Sequence, residues 1–216
     1  MSIDLMDEHE RGERIRRWLH DNGTALLGGV AIGLLAFFGW QWHKNGQMQA
    51  RYDAAMQYET LRKAAQEKQD DTAVEVASGL QDKFAGTAYV TLAHLQIAQL
   101  RTESGDLEAA ATSLEAARSS AQDPVLIELA ALRLARLRHS QGQHELALEL
   151  AAAASVSYAG LAAEIRGDVL RDQGKREEAV SAYQDALTHL AQGVPTRGLI
   201  ELKLADLGAT TAPLES

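Results

Sequence analysis

A run of nineteen uncharged residues near the N-terminus constrains this chain more than any other feature of its sequence. It extends from Thr24 to Trp42, reads TALLGGVAIGLLAFFGWQW, and is interrupted only by the amide of Gln41. At roughly 1.5 Å per residue, a helix of this length reaches about 28 Å and just crosses a bilayer core. A cleaved secretory signal is the alternative, but no small-residue cleavage site follows promptly. The sequence therefore predicts an uncleaved membrane anchor over residues 23–43.

The basic residues beside this span predict its orientation. Four arginines lie within about fifteen residues on its N-terminal side, against two basic residues in the matching window beyond it. Because Lys and Arg rather than net charge set orientation, we expect residues 1–22 to form a cytoplasmic tail. The residues counted are Arg11, Arg14, Arg16 and Arg17 before the span, and Lys44 and Arg51 after it.

One face of the predicted anchor carries small residues at four-residue spacing. They are Ala25, Gly29 and Gly33. Such spacing lets the backbone of a second membrane helix approach closely, so these residues are candidates for a helix contact in the bilayer. Glycine is also common in membrane helices without any such role, and that alternative stays open.

The composition beyond the anchor predicts an all-helical, acidic domain. From residue 44 onward the chain has 17 Lys and Arg and 24 Asp and Glu, a balance of 17 − 24 = −7. Nucleic acid is not an expected partner, because phosphate binding requires a basic surface. The absence of Cys excludes disulfides, thiolate metal sites and a lipid-modified cysteine.

Three segments of this domain repeat one pattern around the turn glycines Gly105, Gly142 and Gly174. Small residues occupy the positions seven before, five after and twelve after each glycine, where two antiparallel helices would come closest. The glycine spacings of 37 and 32 residues lie around the 34-residue period of tetratricopeptide repeats. The nine small residues are Ala98, Ala110 and Ala117; Ala135, Ala147 and Ala154; and Gly167, Ala179 and Ala186.

The rest of the predicted repeat domain, residues 44–208, flanks these segments. Residues 52–84 indicate a degenerate first helix pair interrupted near residues 69–71, with Thr72 as a candidate N-cap of the second helix. Asp123 and Pro124 indicate an N-cap followed by proline at the first helical position. Residues 196–207 predict a last amphipathic helix that caps the array, and residues 209–216 a flexible tail.

No sequence motif indicates catalysis, a cofactor or a metal site. The chain lacks H-E-x-x-H, G-x-S-x-G, Walker A and EF-hand patterns. His139 and His144 bracket the Gly142 turn, but no third ligand lies at a suitable offset, so we expect solvated turn histidines. The chain is predicted not to be an enzyme.

The segment GDVLRDQGKREEAVSAYQDAL, residues 167–187, resembles a tetratricopeptide repeat through most of its length. In that family the concave face uses positions thirteen, ten, six and three before the turn glycine. The resemblance implies candidate groove residues Leu92, Leu95, Gln99 and Thr102; Leu129, Leu132, Arg136 and His139; and Leu161, Glu164, Asp168 and Arg171. A clamp for a terminal carboxylate is not expected, because Leu, Gln and Arg replace its Lys and Asn. The groove would take an extended or helical apolar segment, and the alternative for the leucines is packing between repeats.

The order of elements extends the resemblance to nearly the whole chain, from Arg11 to Leu207. The anchor, AYVTLAHLQIAQL, LRLARLRHSQGQHELAL and AEIRGDVLRDQGKREEAVSAYQDAL together resemble the YfgM-like family, the ancillary subunit of the bacterial Sec translocon. The resemblance implies an inner-membrane protein whose repeat domain faces the periplasm. It implies two partners, the translocon and a membrane-anchored periplasmic prolyl-isomerase-type chaperone, and a non-catalytic role in handing exported chains onward.

A regulatory protein is the alternative function. The mixture of acidic and basic residues in MDEHERGERIRR would suit a contact between residues 1–22 and a cytoplasmic stress-signalling partner. The chain also departs from the repeat pattern, because the first repeat is degenerate and Ala151 stands where a large residue is usual.

Overall fold

The structure is a computed structural model that describes residues 4–191 and 193–209. Within those residues all regular structure is helical and no strand is present, which confirms the predicted all-α class. The helices are α1 (Asp4–Gln66), α2 (Asp70–Lys83), α3 (Ala88–Glu103), α4 (Leu107–Ser120), α5 (Pro124–Ser140), α6 (His144–Ala152), α7 (Ala159–Asp172), α8 (Arg176–His189) and α9 (Pro195–Asp206), with a 3-10 turn at Val156–Tyr158. The predicted C-terminal tail lies, from residue 210 onward, outside the described residues.

Contacts between residues divide the chain into two units, Met1–Ala50 and Arg51–Ser216. In the first unit α1 carries the apolar run found in the sequence. Among the described residues this helix alone is long and apolar enough to cross a membrane, and none of its apolar window is buried within the protein. The small residues Ala25, Gly29 and Gly33 are all exposed.

The second unit consists of helix pairs that are closed by a recurring turn. Gly105, Gly142 and Gly174 have φ angles of +82°, +75° and +75°, in the left-handed region that favours glycine. At each turn the residue after the glycine donates its backbone N–H to a carbonyl five residues earlier, at 2.8–2.9 Å. This hydrogen bond is typical of the Schellman motif that ends a helix. The predicted helix–turn–helix pattern is confirmed at all three glycines.

Small residues lie where the paired helices approach each other, as the sequence predicts. Ala98, Ala110 and Ala117 are almost fully buried in the α3–α4 pair. In the α7–α8 pair, a Cβ atom added to Gly167 would lie 2.5 Å from ring atoms of the buried Tyr183. The prediction fails at Ala154, which lies beyond the end of α6 and is only partly buried.

Two predicted caps have different outcomes. Asp123 caps α5 as expected, and its carboxylate accepts the Val125 N–H at 2.9 Å. The Thr72 cap is wrong, because α2 already begins at Asp70. Asp70 and Asp71 stabilise this earlier start, since carboxylates are favourable in the first turn of a helix.

The last helix, α9, packs on α8 at the end of the array. Ile200 and Leu204 are fully buried and share a core cluster with Tyr183. Leu199 and Leu202 of the same helix remain exposed. The apolar residues predicted for this helix are therefore divided between a buried and a solvent-facing side.

Candidate partner-binding groove

An open groove of about 420 Å³ lies between α3 and α5, the first helices of two successive repeats. Its apolar floor is formed by side chains that are themselves mostly buried. Polar and basic side chains form the rim. The floor comprises Leu95, Ala98, Leu114 and Leu137, and the rim Gln99, Thr102, Arg133, Arg136 and Ser140. We call this site the α3–α5 groove.

The structure places the predicted groove residues in three different environments. Leu95, Gln99, Thr102 and Arg136 lie together in the α3–α5 groove. Like Leu95, which also belongs to a core cluster, the other predicted leucines pack between helices, as in the packing alternative. These are Leu92 and Leu129 in one cluster, and Leu132 and Leu161 in another.

The charged groove residues predicted on α7 take part in a closed network of ion pairs. Glu164 has a side chain only 3% exposed, and its carboxylate accepts from two cations. Arg136 Nη2 lies 2.6 Å from its Oε2, and Lys203 Nζ lies 2.8 Å from its Oε1. Lys203 Nζ also donates to Asp168 Oδ2 at 2.8 Å. We call these four residues the α7–α9 network, in which Glu164 and Asp168 of α7 pair with Lys203 of α9 and Arg136 joins from α5.

Tyr183 completes this network from α8. Its hydroxyl donates to Asp168 Oδ1 at 2.7 Å, and its ring is fully buried. Burial raises the pKa of the Tyr183 hydroxyl well above its usual range, and the hydrogen bond to Asp168 raises it further. Arg171, at the edge, lies 3.9 Å from Asp168 Oδ1 but donates to Asp172 Oδ1 at 3.0 Å. Because its pKa is raised, the Tyr183 hydroxyl stays protonated and acts as a hydrogen-bond donor to Asp168.

Two important residues were missed by the sequence reasoning. Lys203 lies on the buried stripe of α9, three residues after Ile200 and one before Leu204. A lysine at such a position needs a buried carboxylate, and Glu164 and Asp168 supply it. Arg133 lies one helical turn before Arg136, so their shared face of α5 is a signal that could have been used.

The histidines at the Gly142 turn differ from the prediction. His139 is not solvated, because its side chain is only 15% exposed and its Nε2 lies 3.3 Å from Asp172 Oδ2. Its Nδ1 is 3.3 Å from Nδ1 of His144. Across the part of the chain that the structure describes, no group of three or more His, Asp or Glu residues could hold a metal ion.

Comparisons with known proteins agree with this architecture. A family model described as a tetratricopeptide repeat-like domain matches residues 16–209, which include the whole predicted anchor as well as the repeats. The match therefore covers both units of the chain.

Curated relatives are similar over most of their length. The ancillary SecYEG translocon subunit of Escherichia coli (strain K12) is 30% identical over 182 residues, 82% of this chain and 86% of the relative. Its counterpart in Haemophilus influenzae is 27% identical, over 84% of this chain and 89% of the relative. The subunit of Neisseria gonorrhoeae is 24% identical, over 94% and 98%. The chain thus belongs to the tetratricopeptide repeat-like family that includes the ancillary SecYEG translocon subunits.

Proposed function

We propose that this protein is a membrane-anchored, non-catalytic adaptor of the Sec translocon. The observation that carries the proposal is that a relative named as an ancillary SecYEG translocon subunit is similar over 94% of this chain, which must include both the anchor and the repeats. A shared repeat domain alone would support only a protein-binding role, because such repeats occur with many partners. Because the relatives share the anchor and the repeats in the same order, we expect this protein to belong to the same membrane complex as they do.

The proposed topology is based on the flanking charges. Residues 1–22 form the cytoplasmic tail, residues 23–43 cross the inner membrane, and residues 44–208 form the periplasmic repeat domain, followed by a tail from 209 to 216. The excess of arginine before the span supports this orientation. The exposed apolar window of α1 supports a segment whose solvent is the lipid bilayer.

Two surfaces are proposed for partner contacts. In the membrane, Gly29 and Gly33 have no side-chain neighbour within 4 Å of an added Cβ, so a helix of a partner can approach their face together with Ala25. In the periplasm, the α3–α5 groove offers an apolar floor with a polar rim. We propose the groove as the contact for a membrane-anchored prolyl-isomerase-type chaperone or for exported client chains.

The test is co-purification of tagged full-length protein after mild detergent solubilisation. A variant in which residues 23–43 are replaced by an unrelated membrane span keeps the tail and the repeats. We expect translocon subunits with the wild-type protein and fewer with the replaced span. Recovery of cytoplasmic signalling proteins alone, dependent on residues 1–22, would contradict the proposal and favour the regulatory alternative.

A further inference from the structure

The α3–α5 groove carries one basic side chain that no described carboxylate neutralises. Three arginines lie near one another on α5. Arg136 Nη2 is 2.6 Å from Glu164 Oε2, and Arg138 Nη1 is 3.8 Å from Glu108 Oε2. Arg133 lines the groove, is exposed, and forms no ion pair with a carboxylate among the described residues. The guanidinium of Arg133 thus has no described carboxylate partner, although the repeat domain has a net charge of −7. Such a cation favours a ligand that supplies a carboxylate.

The apolar floor of the groove adds a second ligand preference, which is for an apolar side chain. Leu95, Leu114 and Leu137 face the groove beside Ala98, so a side chain that enters leaves water for an apolar surface. The volume of about 420 Å³ is that of a ligand-binding cleft. A ligand that satisfies both features has an apolar side chain for the floor and a carboxylate for Arg133.

We propose that the α3–α5 groove binds an extended polypeptide segment in which an apolar residue lies close to an Asp or Glu. The apolar side chain packs on the leucine floor, and the carboxylate pairs with Arg133. This inference rests on the proposed function only in taking the repeat domain as a protein-binding surface. It adds the class of sequence that is bound and the residue that selects it.

The carboxylate belongs to a side chain rather than to a chain terminus. Binding of a terminal carboxylate by repeats of this kind uses several donors, whereas here Arg133 is the one rim cation without an acidic partner among the described residues. Arg136, the other rim guanidinium, already donates to Glu164. A single guanidinium can pair with one carboxylate anywhere along an extended segment.

The C-terminal end of the same face has the opposite character. There the carboxylates of Glu164 and Asp168 are already paired with Lys203 of α9. The chain's own last helix therefore occupies the position that a basic ligand would need. Glu164 and Asp168 therefore offer no free carboxylate to a basic segment.

The experiment measures binding of short labelled peptides to the full-length protein in lipid nanodiscs by fluorescence anisotropy. The peptides are acetylated and amidated and differ at one residue, which is Glu, Gln or Lys next to a leucine pair. We expect the Glu peptide to bind about three- to tenfold tighter than the Gln peptide, with the difference shrinking as salt screens the pair. Arg133→Gln should remove the difference, and Arg133→Glu should shift the preference to the Lys peptide.

Arg166→Gln is the matched control. Arg166 is also an exposed arginine, pairs with Asp185 at 2.7 Å, and lies outside the groove, so its loss changes net charge equally. A reversed preference in Arg133→Glu cannot come from unfolding, which would abolish all binding. The inference is overturned if Arg133→Gln keeps the Glu preference, or if a free C-terminus without an acidic residue binds as tightly.

The failure of this inference and of the proposed function are distinguishable. Arg133→Glu should still co-purify with translocon subunits, because the proposed membrane contact lies in α1. Selective peptide binding without any co-purification would contradict only the translocon role. Co-purification without a Glu preference would contradict only the inference about the groove.

Discussion

The two ends of the face formed by the first helices α3, α5 and α7 use equivalent helix positions for different purposes. Between α3 and α5 the face formed by first helices is open, with a leucine floor and, at the rim, Arg133, which has no carboxylate partner among the described residues. Around α7 the corresponding positions hold Glu164 and Asp168, which are paired with Lys203 from α9. The repeat pattern therefore predicts on which face of a helix a residue lies, but it does not predict whether that face is open to a ligand or covered by another helix.

The difference arises from the helix that comes next after each repeat. At the open end of this face, the next first helix, α5, lies beside α3 and leaves a groove between the two. At the end of the array, α9 takes that place and must bury an apolar stripe that includes Lys203. A cation buried there needs carboxylate partners, and Glu164 and Asp168 of the terminal repeat provide them. At the open end, the proposed partner of Arg133 is a carboxylate of another molecule.

The largest loss of stability that this comparison predicts follows from replacing Lys203, the cation of the closed end. In Lys203→Met, Asp168 keeps the Tyr183 hydroxyl at 2.7 Å but no cation closer than Arg171 at 3.9 Å, and the nearly buried Glu164 keeps only Arg136 as a cation. We expect the free energy of unfolding to fall by about 3 kcal/mol, as for a buried ion pair that loses one partner. Chemical denaturation followed by circular dichroism measures this loss.

Gln99→Ala is the control at the open end. Gln99 is exposed and its amide donates only to Glu103, so the cost should stay within about 0.5 kcal/mol. Equal losses for the two variants would show that the two ends do not differ in this way. Adding Asp168→Asn to Lys203→Met should cost less than Asp168→Asn alone, because the cation that it pairs with is already gone.

The next effect tests the close approach of α7 and α8. A Cβ atom at Gly167 would meet the Tyr183 ring at 2.5 Å, and that ring is fully buried. We expect Gly167→Ala to lower the free energy of unfolding by about 1–3 kcal/mol through overpacking. Thermal unfolding of the variant measures the cost.

Gly198→Ala provides the matched control on α9. No atom lies within 4 Å of its added Cβ, and alanine favours a helix over glycine by up to about 1 kcal/mol. Unchanged or higher stability is therefore expected at this position. A stable Gly167→Ala protein would mean that the two helices can separate without cost.

Most of the fold could be predicted from the sequence because its signals are local. The positive-φ turn glycines and the small residues around them depend only on one helix pair, and eight of the nine small positions lie within the predicted helices. The charged groove residues could be placed on a face in the same way. Their ion pairs could not, because Glu164 meets Arg136 and Lys203 across 28 and 39 residues.

Three outcomes were decided by residues other than the ones on which the prediction relied. Thr72 has the sequence of a cap, but Asp70 and Asp71 start α2 earlier. His139 has the sequence of a solvated turn residue, but Asp172 of the next repeat lies against it. Leu132 has the position of a groove residue, but it packs beside Ile165 in the core. In each of the last two cases a neighbouring repeat decided the outcome.

A smaller effect is expected from the buried hydroxyl of the closed end. The pKa of Tyr183 is raised above its ordinary value of 10.0, chiefly by burial and then by Asp168. The native state thus holds this proton to a higher pH than the unfolded chain does. Its contribution to stability is complete below about pH 10 and falls as the pH rises further. In a titration followed by phenolate absorbance, Tyr183→Phe should remove the latest step and leave the earlier ones unchanged.

The smallest expected effect lies in the open half, at His94 on α3. Its Nε2 is 2.9 Å from Gln81 Oε1, and burial lowers its pKa below the ordinary value of 6.5. The unfolded chain therefore binds a proton that the native state resists, and stability falls as the pH drops below about 6.5. His94→Gln should flatten the dependence of the unfolding free energy on pH between about 7 and 5. A pH dependence that stays equally steep in His94→Gln would contradict burial of this imidazole as its cause.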